Sequence, residues 1–133
     1  MTEIFADTFY FIALINPNDA SHVVAVATAQ TLRASLVTTS WVLTELADAL
    51  ASPGNREACV GFVDDLREQS QCVILPATQE LFDAGFELYR GRPDKDWSLT
   101  DCISFRVMKS RNISKALTGD HHFEQAGYIA LLK

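Results

Sequence analysis

The chain has 133 residues, nearly half of them hydrophobic (48%), and a net charge of −6. Residues 1–133 suffice for one domain with a sizeable core and are too few for two ordinary ones. No apolar run approaches a membrane span, and the opening Met-Thr-Glu-Ile-Phe-Ala-Asp lacks the basic start and long apolar stretch of a signal peptide. A cytoplasmic protein with no membrane partner is expected.

Residues 4–6 form a short apolar run suited to a buried parallel strand that ends at Asp7. A helix is expected over 9–15, broken by Asn16-Pro17-Asn18, with Asn18 or Asp19 capping the next helix toward Arg33. Leu36-Val37-Thr38 reads as a second strand, and Ser40 as the N-cap of a helix over 41–51. Ser52-Pro53-Gly54-Asn55 stops that helix and starts another, running from about Arg56 to Gln69. The third strand covers 72–75 and is closed by Pro76. A helix over 78–89 follows, with Leu81, Phe82, Gly85, Leu88 and Tyr89 at helical spacing. Then come a polar turn at 90–96, a helix over 98–110, a strand over 115–118, a short helix over 121–125 and a last strand over 128–131. Strands alternating with helices predict a three-layer α/β/α sandwich around a mainly parallel sheet.

Cys59, Cys72 and Cys102 are an odd number at wide spacing, and read as small buried hydrophobes rather than disulfides or zinc ligands. Charge is unevenly spread. Residues 1–89 hold twelve acids and three bases, net −9, whereas residues 90–133 hold five acids and eight bases, net +3. The bases of the second part include Arg90, Arg92 and Lys95, then Arg106 and Lys109. They are candidates for a polyanion contact, with solvated helix faces as the plainer reading.

Four acids sit where an apolar segment gives way to a turn or a new helix: Asp7, Glu45, Asp101 and Asp120. In an alternating fold the strand C-termini gather on one edge, where ligands bind. Singly, Asp7 and Asp120 read as helix caps. Glu45 projects away from the Leu43, Leu46, Ala47 and Leu50 face, as a surface acid would. Asp101 is the awkward one. Ser98-Leu99-Thr100-Asp101 looks like a capping box, yet Asp101 shares a face with Phe105 and Met108, where an unpaired carboxylate is costly to bury. Two carboxylates about 5 Å apart at a dielectric near 20 repel by roughly 3 kcal/mol. Convergence of all four therefore requires a cation, and an all-oxygen set suits Mg²⁺ or Mn²⁺ better than zinc. Thr8, Ser98 and Thr118 can orient the carboxylates or act as caps. Asp96 reads as shaping its turn, with assistance at the metal site as the other option. His121 and His122 read as structural or substrate-contacting, and Trp41 and Trp97 as core or interface.

The chain resembles the PIN-domain ribonucleases, particularly the VapC-type toxins of bacterial toxin–antitoxin pairs, over essentially its whole length. The resemblance rests on Phe-Ala-Asp7-Thr8, on Thr44-Glu45-Leu46, on the stretch from Asp96-Trp97-Ser98 to Asp101-Cys102, and on Thr118-Gly119-Asp120-His121-His122-Phe123. It implies Asp7, Glu45, Asp101 and Asp120 as a metal-binding acidic quartet and a metal-dependent endoribonuclease that leaves 5′-phosphate and 3′-hydroxyl ends. RNA would be held by the bases after Arg90, and a homodimer and an antitoxin partner are implied too. The alternatives are a PIN-domain nuclease of RNA processing and a non-catalytic α/β interaction module. A haloacid-dehalogenase-type phosphatase would want a second Asp where Phe9 stands. A receiver domain would want a phospho-acceptor Asp where Pro76 and Ala77 follow the third strand.

Overall fold

The computed structural model describes residues 2–133. Five strands form one sheet: β1 (Glu3–Ala6), β2 (Ser35–Thr39), β3 (Cys72–Leu75), β4 (Lys115–Leu117) and β5 (Ile129–Ala130). Their order is β3-β2-β1-β4-β5, and every neighbouring pair is parallel. Phe5 of β1 pairs with Val37 on one side and Ala116 on the other, so the central strand is buried on both faces. That explains its unbroken apolar sequence.

The helices are α1 (Thr8–Ile15), α2 (His22–Thr31), α3 (Ser40–Ala49), α4 (Pro53–Glu68), α5 (Gln79–Gly91), α6 (Leu99–Ser110) and α7 (His121–Gln125). From β1 the chain steps outward to β2 and β3, then crosses back to β4 and β5. Right-handed crossovers in opposite directions put α1 to α4 on one face and α5 to α7 on the other. The strand order reverses between β1 and β4, and the crevice this opens lies at their C-terminal ends, where Asp7 and Thr118 follow.

Local chemistry moves several boundaries from the expected ones. Ser40 is the first helical residue rather than the cap: Thr39 stays extended and its hydroxyl accepts from Val42 N–H at 3.2 Å. Neither Asn18 nor Asp19 caps α2. Its N-cap is Ser21, whose N–H donates to Asp19 Oδ1 at 2.8 Å in a turn before the helix. α4 begins at Pro53 instead of about Arg56, because a proline in the first turn gives up only an N–H that had no helical partner. α5 runs through Arg90 and Gly91, so the polar turn starts at Arg92. Thr118 lies just beyond β4, and β5 is only two residues long.

The core contains Phe5, Phe11, Val37, Leu46, Ile103, Met108 and Phe123, all fully buried. Trp97 is a core residue, its ring 5.0 Å from Phe105 and edge-on to it, with Phe105 similarly set 4.9 Å from Phe123. Such pairs each add about 0.5–1.5 kcal/mol beyond simple burial. They anchor the 92–98 turn, with Trp97 Nε1 donating to Gln125 Oε1 at 3.0 Å. Cys59 and Cys102 are buried, Cys72 is half-buried, and all three are free thiols. Among the described residues no helix is long and apolar enough to cross a membrane.

Candidate active site

A cavity of about 370 Å³ at the switch point is lined by Asp7, Glu45, Asp101 and Asp120, together with Thr8, Phe9, Ser98, Asp96 and His122. The four acids arrive from the end of β1, the second turn of α3, the first turn of α6, and the segment after β4. Each carboxylate has one oxygen tied down. Thr118 Oγ1 donates to Asp7 Oδ2 at 2.9 Å. The Thr8 hydroxyl donates to Glu45 Oε1. Ser98 N–H donates to Asp101 Oδ2 at 3.3 Å, and His122 N–H to Asp120 Oδ1 at 2.9 Å.

These contacts separate structural from other duties. Asp7 occupies an N-cap position but its side chain makes no capping bond, so the cap reading does not hold for it. Asp120 does cap α7, and Asp101 completes the capping box with Ser98. Glu45 is half-buried beside Thr8 rather than a solvated surface acid. Thr118 is fully buried and also accepts from Asp120 N–H at 3.1 Å, joining the first and last acids. Asp96 lines the cavity, a place its local sequence did not show, since the anchoring of neighbouring Trp97 is tertiary.

The electrostatics are one-sided. No lysine or arginine is among the described residues that line the cavity. Burial pushes the Asp7 carboxyl up to about 7, with the charges of Asp101 and Glu45 adding to it and the Thr118 hydrogen bond opposing it. Burial likewise raises Glu45 and Asp101, with the neighbouring acids reinforcing both. Asp7 is 5% exposed and Asp101 7%, so neither charge is relieved by bulk water. This fits a bound cation: crowded, hydrogen-bonded carboxylates with no basic side chain among them.

His122 is the participant that sequence reasoning left undecided. Its Nδ1 lies 3.2 Å from Asp101 Oδ2 and 3.4 Å from Asp120 Oδ1, bridging two of the acids. His121, more exposed, comes within 3.6 Å of Asp120, and Asp120, His121 and His122 make a compact group of ligand-type atoms within 4.8 Å of one another. The signal for His122 was its place in the first turn of a helix capped by Asp120.

The candidate RNA contacts lie outside this cavity. Arg90, Arg92 and Lys95 line an adjoining cavity of about 880 Å³, and Arg106 and Lys109 line a third of about 210 Å³ that Arg92 also borders. Arg90 is already paired with Glu87 and Arg92 with Asp94, each at 2.9 Å.

An all-parallel sheet between helix layers, with acids gathered at its switch point, defines an α/β domain with an acidic cavity at the C-terminal edge of its sheet. The sequence profile of the PIN domain matches residues 4–128, and the chain belongs to that family. It is 29% identical over 130 residues to the 23S rRNA-specific endonuclease VapC20 of Mycobacterium tuberculosis, covering 95% of each chain. The crystal structure of VapC20, described as a sarcin-ricin loop cleaving toxin, superposes with a TM-score of 0.87 at 26% identity over 95% of this chain and 96% of that one. FitAcB from Neisseria gonorrhoeae (TM-score 0.68, 16% identity, 96% and 94% covered) shares the fold. So does VapBC2 from Rickettsia felis, bound to a DNA fragment from their promoter (0.67, 16%, 97% of each chain). The haloacid-dehalogenase and receiver alternatives fall with this assignment.

Proposed function

We propose that the protein is a Mg²⁺- or Mn²⁺-dependent endoribonuclease that hydrolyses RNA phosphodiester bonds, and that it is the toxin of a toxin–antitoxin pair. The observation that carries this reading is the convergence of four hydrogen-bonded carboxylates in one cavity without a lysine or arginine, on a PIN fold. Likeness to an rRNA endonuclease toxin over 95% of both chains supports the choice of RNA and the biological role.

Asp7, Glu45, Asp101 and Asp120 would hold the cation, which when bound supplies Lewis-acid activation of water and charge stabilisation at the phosphate. The chain's own contribution is order. Thr118 holds Asp7, Thr8 holds Glu45, and the Ser98 backbone holds Asp101, which limits the orientations each carboxylate samples. His122 holds Asp101 and Asp120 together and offers them partial compensation. Asp96 at the rim is an auxiliary acid facing the same space. Hydrolysis by water leaves 5′-phosphate and 3′-hydroxyl ends and does not use the RNA 2′-hydroxyl. A homodimer, a cognate antitoxin and a cytoplasmic location complete the reading.

The test uses purified full-length protein with ribosomal RNA in Mg²⁺ or Mn²⁺, and in EDTA. Cleavage that needs the cation, yields 5′-phosphate ends and is lost in Asp101→Asn is expected. Cyclic-phosphate ends or undiminished cleavage in EDTA would overturn the mechanism.

A further inference from the structure

The two histidines that open α7 bring their rings together, with centroids 4.4 Å apart at 52°. Nδ1 of His122 lies 3.4 Å from Asp120 Oδ1, and Nδ1 of His121 lies 3.6 Å from that same oxygen. Ligand-type atoms of Asp120, His121 and His122 all fall within 4.8 Å of one another. Among the described residues no other three histidine, cysteine or acidic side chains gather so closely. The carboxylates of the cavity stand farther apart than this trio.

Two physical readings compete for these contacts. N–H···O hydrogen bonds lie at about 2.7–3.2 Å, so neither imidazole closes on Asp120 as a hydrogen bond. Ligands around one small cation fit better. At metal–ligand distances of about 2.0–2.2 Å, neighbours in a tetrahedral shell stand about 3.3–3.6 Å apart. Both measured contacts fall in that range. His122 has a second carboxylate, Asp101, at 3.2 Å, whereas His121 makes no hydrogen bond among the described residues. The donor set then selects the ion. Two imidazole nitrogens and a carboxylate oxygen suit Zn²⁺ and its transition-metal neighbours, while Mg²⁺ prefers oxygen alone. The His121 side chain is 63% exposed, which leaves a fourth position open to water on the outer side.

We propose that Asp120, His121 and His122 form a second cation site, nitrogen-rich and selective for Zn²⁺-class ions. Asp120 also lines the acidic cavity, so the two sites share a ligand. A Zn²⁺ ion on the histidines draws Asp120 to itself, and its charge repels another divalent ion close by. Zn²⁺ held there therefore opposes Mg²⁺ or Mn²⁺ at the four acids. The site itself does not depend on the nuclease reading. Only the step from weaker Mn²⁺ binding to slower RNA cleavage rests on it.

The experiment titrates Zn²⁺ and Mn²⁺ separately into the untagged, metal-free full chain by calorimetry. His121→Ala, at an exposed position that tolerates the change, should weaken Zn²⁺ binding by at least about 100-fold, the upper end of what a lost supporting contact costs. Mn²⁺ affinity should be the same in that variant as in wild type. Cys72→Ala, which removes the least buried thiol, should bind Zn²⁺ as wild type does. In imidazole-nitrogen NMR spectra Zn²⁺ should move Nδ1 of His121 and His122 and leave His22 in place. The Zn²⁺ concentration that halves Mn²⁺ binding should rise in His121→Ala in parallel with the lost affinity. An unchanged concentration means that Zn²⁺ acts at the acids, and overturns the site. So do undiminished Zn²⁺ affinity in His121→Ala, equal losses of Zn²⁺ and Mn²⁺, a loss of Zn²⁺ in Cys72→Ala, or unmoved Nδ1 signals. Failure of the nuclease reading looks different: Mn²⁺-loaded wild type would then leave RNA uncut while every Zn²⁺ result stands.

Discussion

Asp7 carries the largest stress in the molecule, a carboxyl almost without solvent beside two other acids. Its pKa in the folded chain is about 7, above the ordinary value of 3.8. Between those two pH values the folded state keeps a proton that the unfolded state has released. Stability is therefore fully present below about pH 4 and falls as pH rises through 7, by on the order of 4 kcal/mol at 1.36 kcal/mol per unit. Metal-free protein should accordingly melt at lower temperature at pH 8 than at pH 5, and Asp7→Asn should flatten most of that trend in differential scanning fluorimetry. A metal-free melting point that rises from pH 5 to 8 contradicts the assignment. The same variant should lose RNA cleavage by at least about 100-fold, the scale on which losing a positioned catalytic group acts. Removing only the partner is subtler: Thr118→Val frees Asp7 Oδ2 and should weaken cation affinity about 10- to 100-fold, read by Mn²⁺ titration. The four acids were legible because each follows an apolar segment, and Thr8 and Thr118 because they adjoin them. Asp96 and His122 were not. Their places depend on Trp97 seating in the core and on the helix after β4 turning back over α6, contacts far apart in sequence.

At the scale of elements, α5 and α6 make the tightest seam of the fold, and Gly85 is the reason. A methyl there would meet Ile103 Cγ1 at 2.3 Å and Ile103 Cα at 2.9 Å, so the backbone itself must retreat. Gly→Ala in a helix would ordinarily stabilise by about 1 kcal/mol, but overpacking costs about 1–3 kcal/mol. Gly85→Ala should therefore lower unfolding stability by up to about 2 kcal/mol in urea titration, instead of raising it as helix propensity alone would. The capping box of α6 offers a second check: Ser98→Ala should cost about 1 kcal/mol, since Asp101 N–H loses its acceptor at 3.0 Å. Element identity and order were readable because apolar runs of strand length alternate with helical periodicity. Boundaries were less so, for local reasons. Thr39 and Ser40 are both good caps, and only pairing with β3 keeps Thr39 extended. Nothing in Arg90 and Gly91 announces whether a helix ends before or after them. Strand order was out of reach altogether, because it is decided by which apolar faces meet, and the sequence shows only that such faces exist.

Across the whole molecule, the uneven charge acquires a spatial meaning. The acid-rich first part supplies Asp7 and Glu45 to the cavity, and the base-rich second part supplies the cations that line its neighbouring cavities. On the proposed reading the two would act oppositely on RNA, and a cation at the acids would let it lie across both. Folding, metal and substrate would then be linked. A ligand that binds only the folded state stabilises it by about 2.7 kcal/mol at a hundred times its dissociation constant. For a domain of this size that corresponds to roughly 10 °C in melting temperature. Mg²⁺ or Mn²⁺ at such concentrations should raise the melting point accordingly at pH 8, against a control of matched ionic strength in KCl. The gain should shrink at pH 6, where protons compete for Asp7 and its neighbours. It should vanish in the Asp7→Asn, Asp101→Asn double variant, which removes two of the four charges. A shift that survives in the double variant, or one that does not depend on pH, would locate the cation elsewhere, and the acidic cavity would then owe its crowding to packing alone.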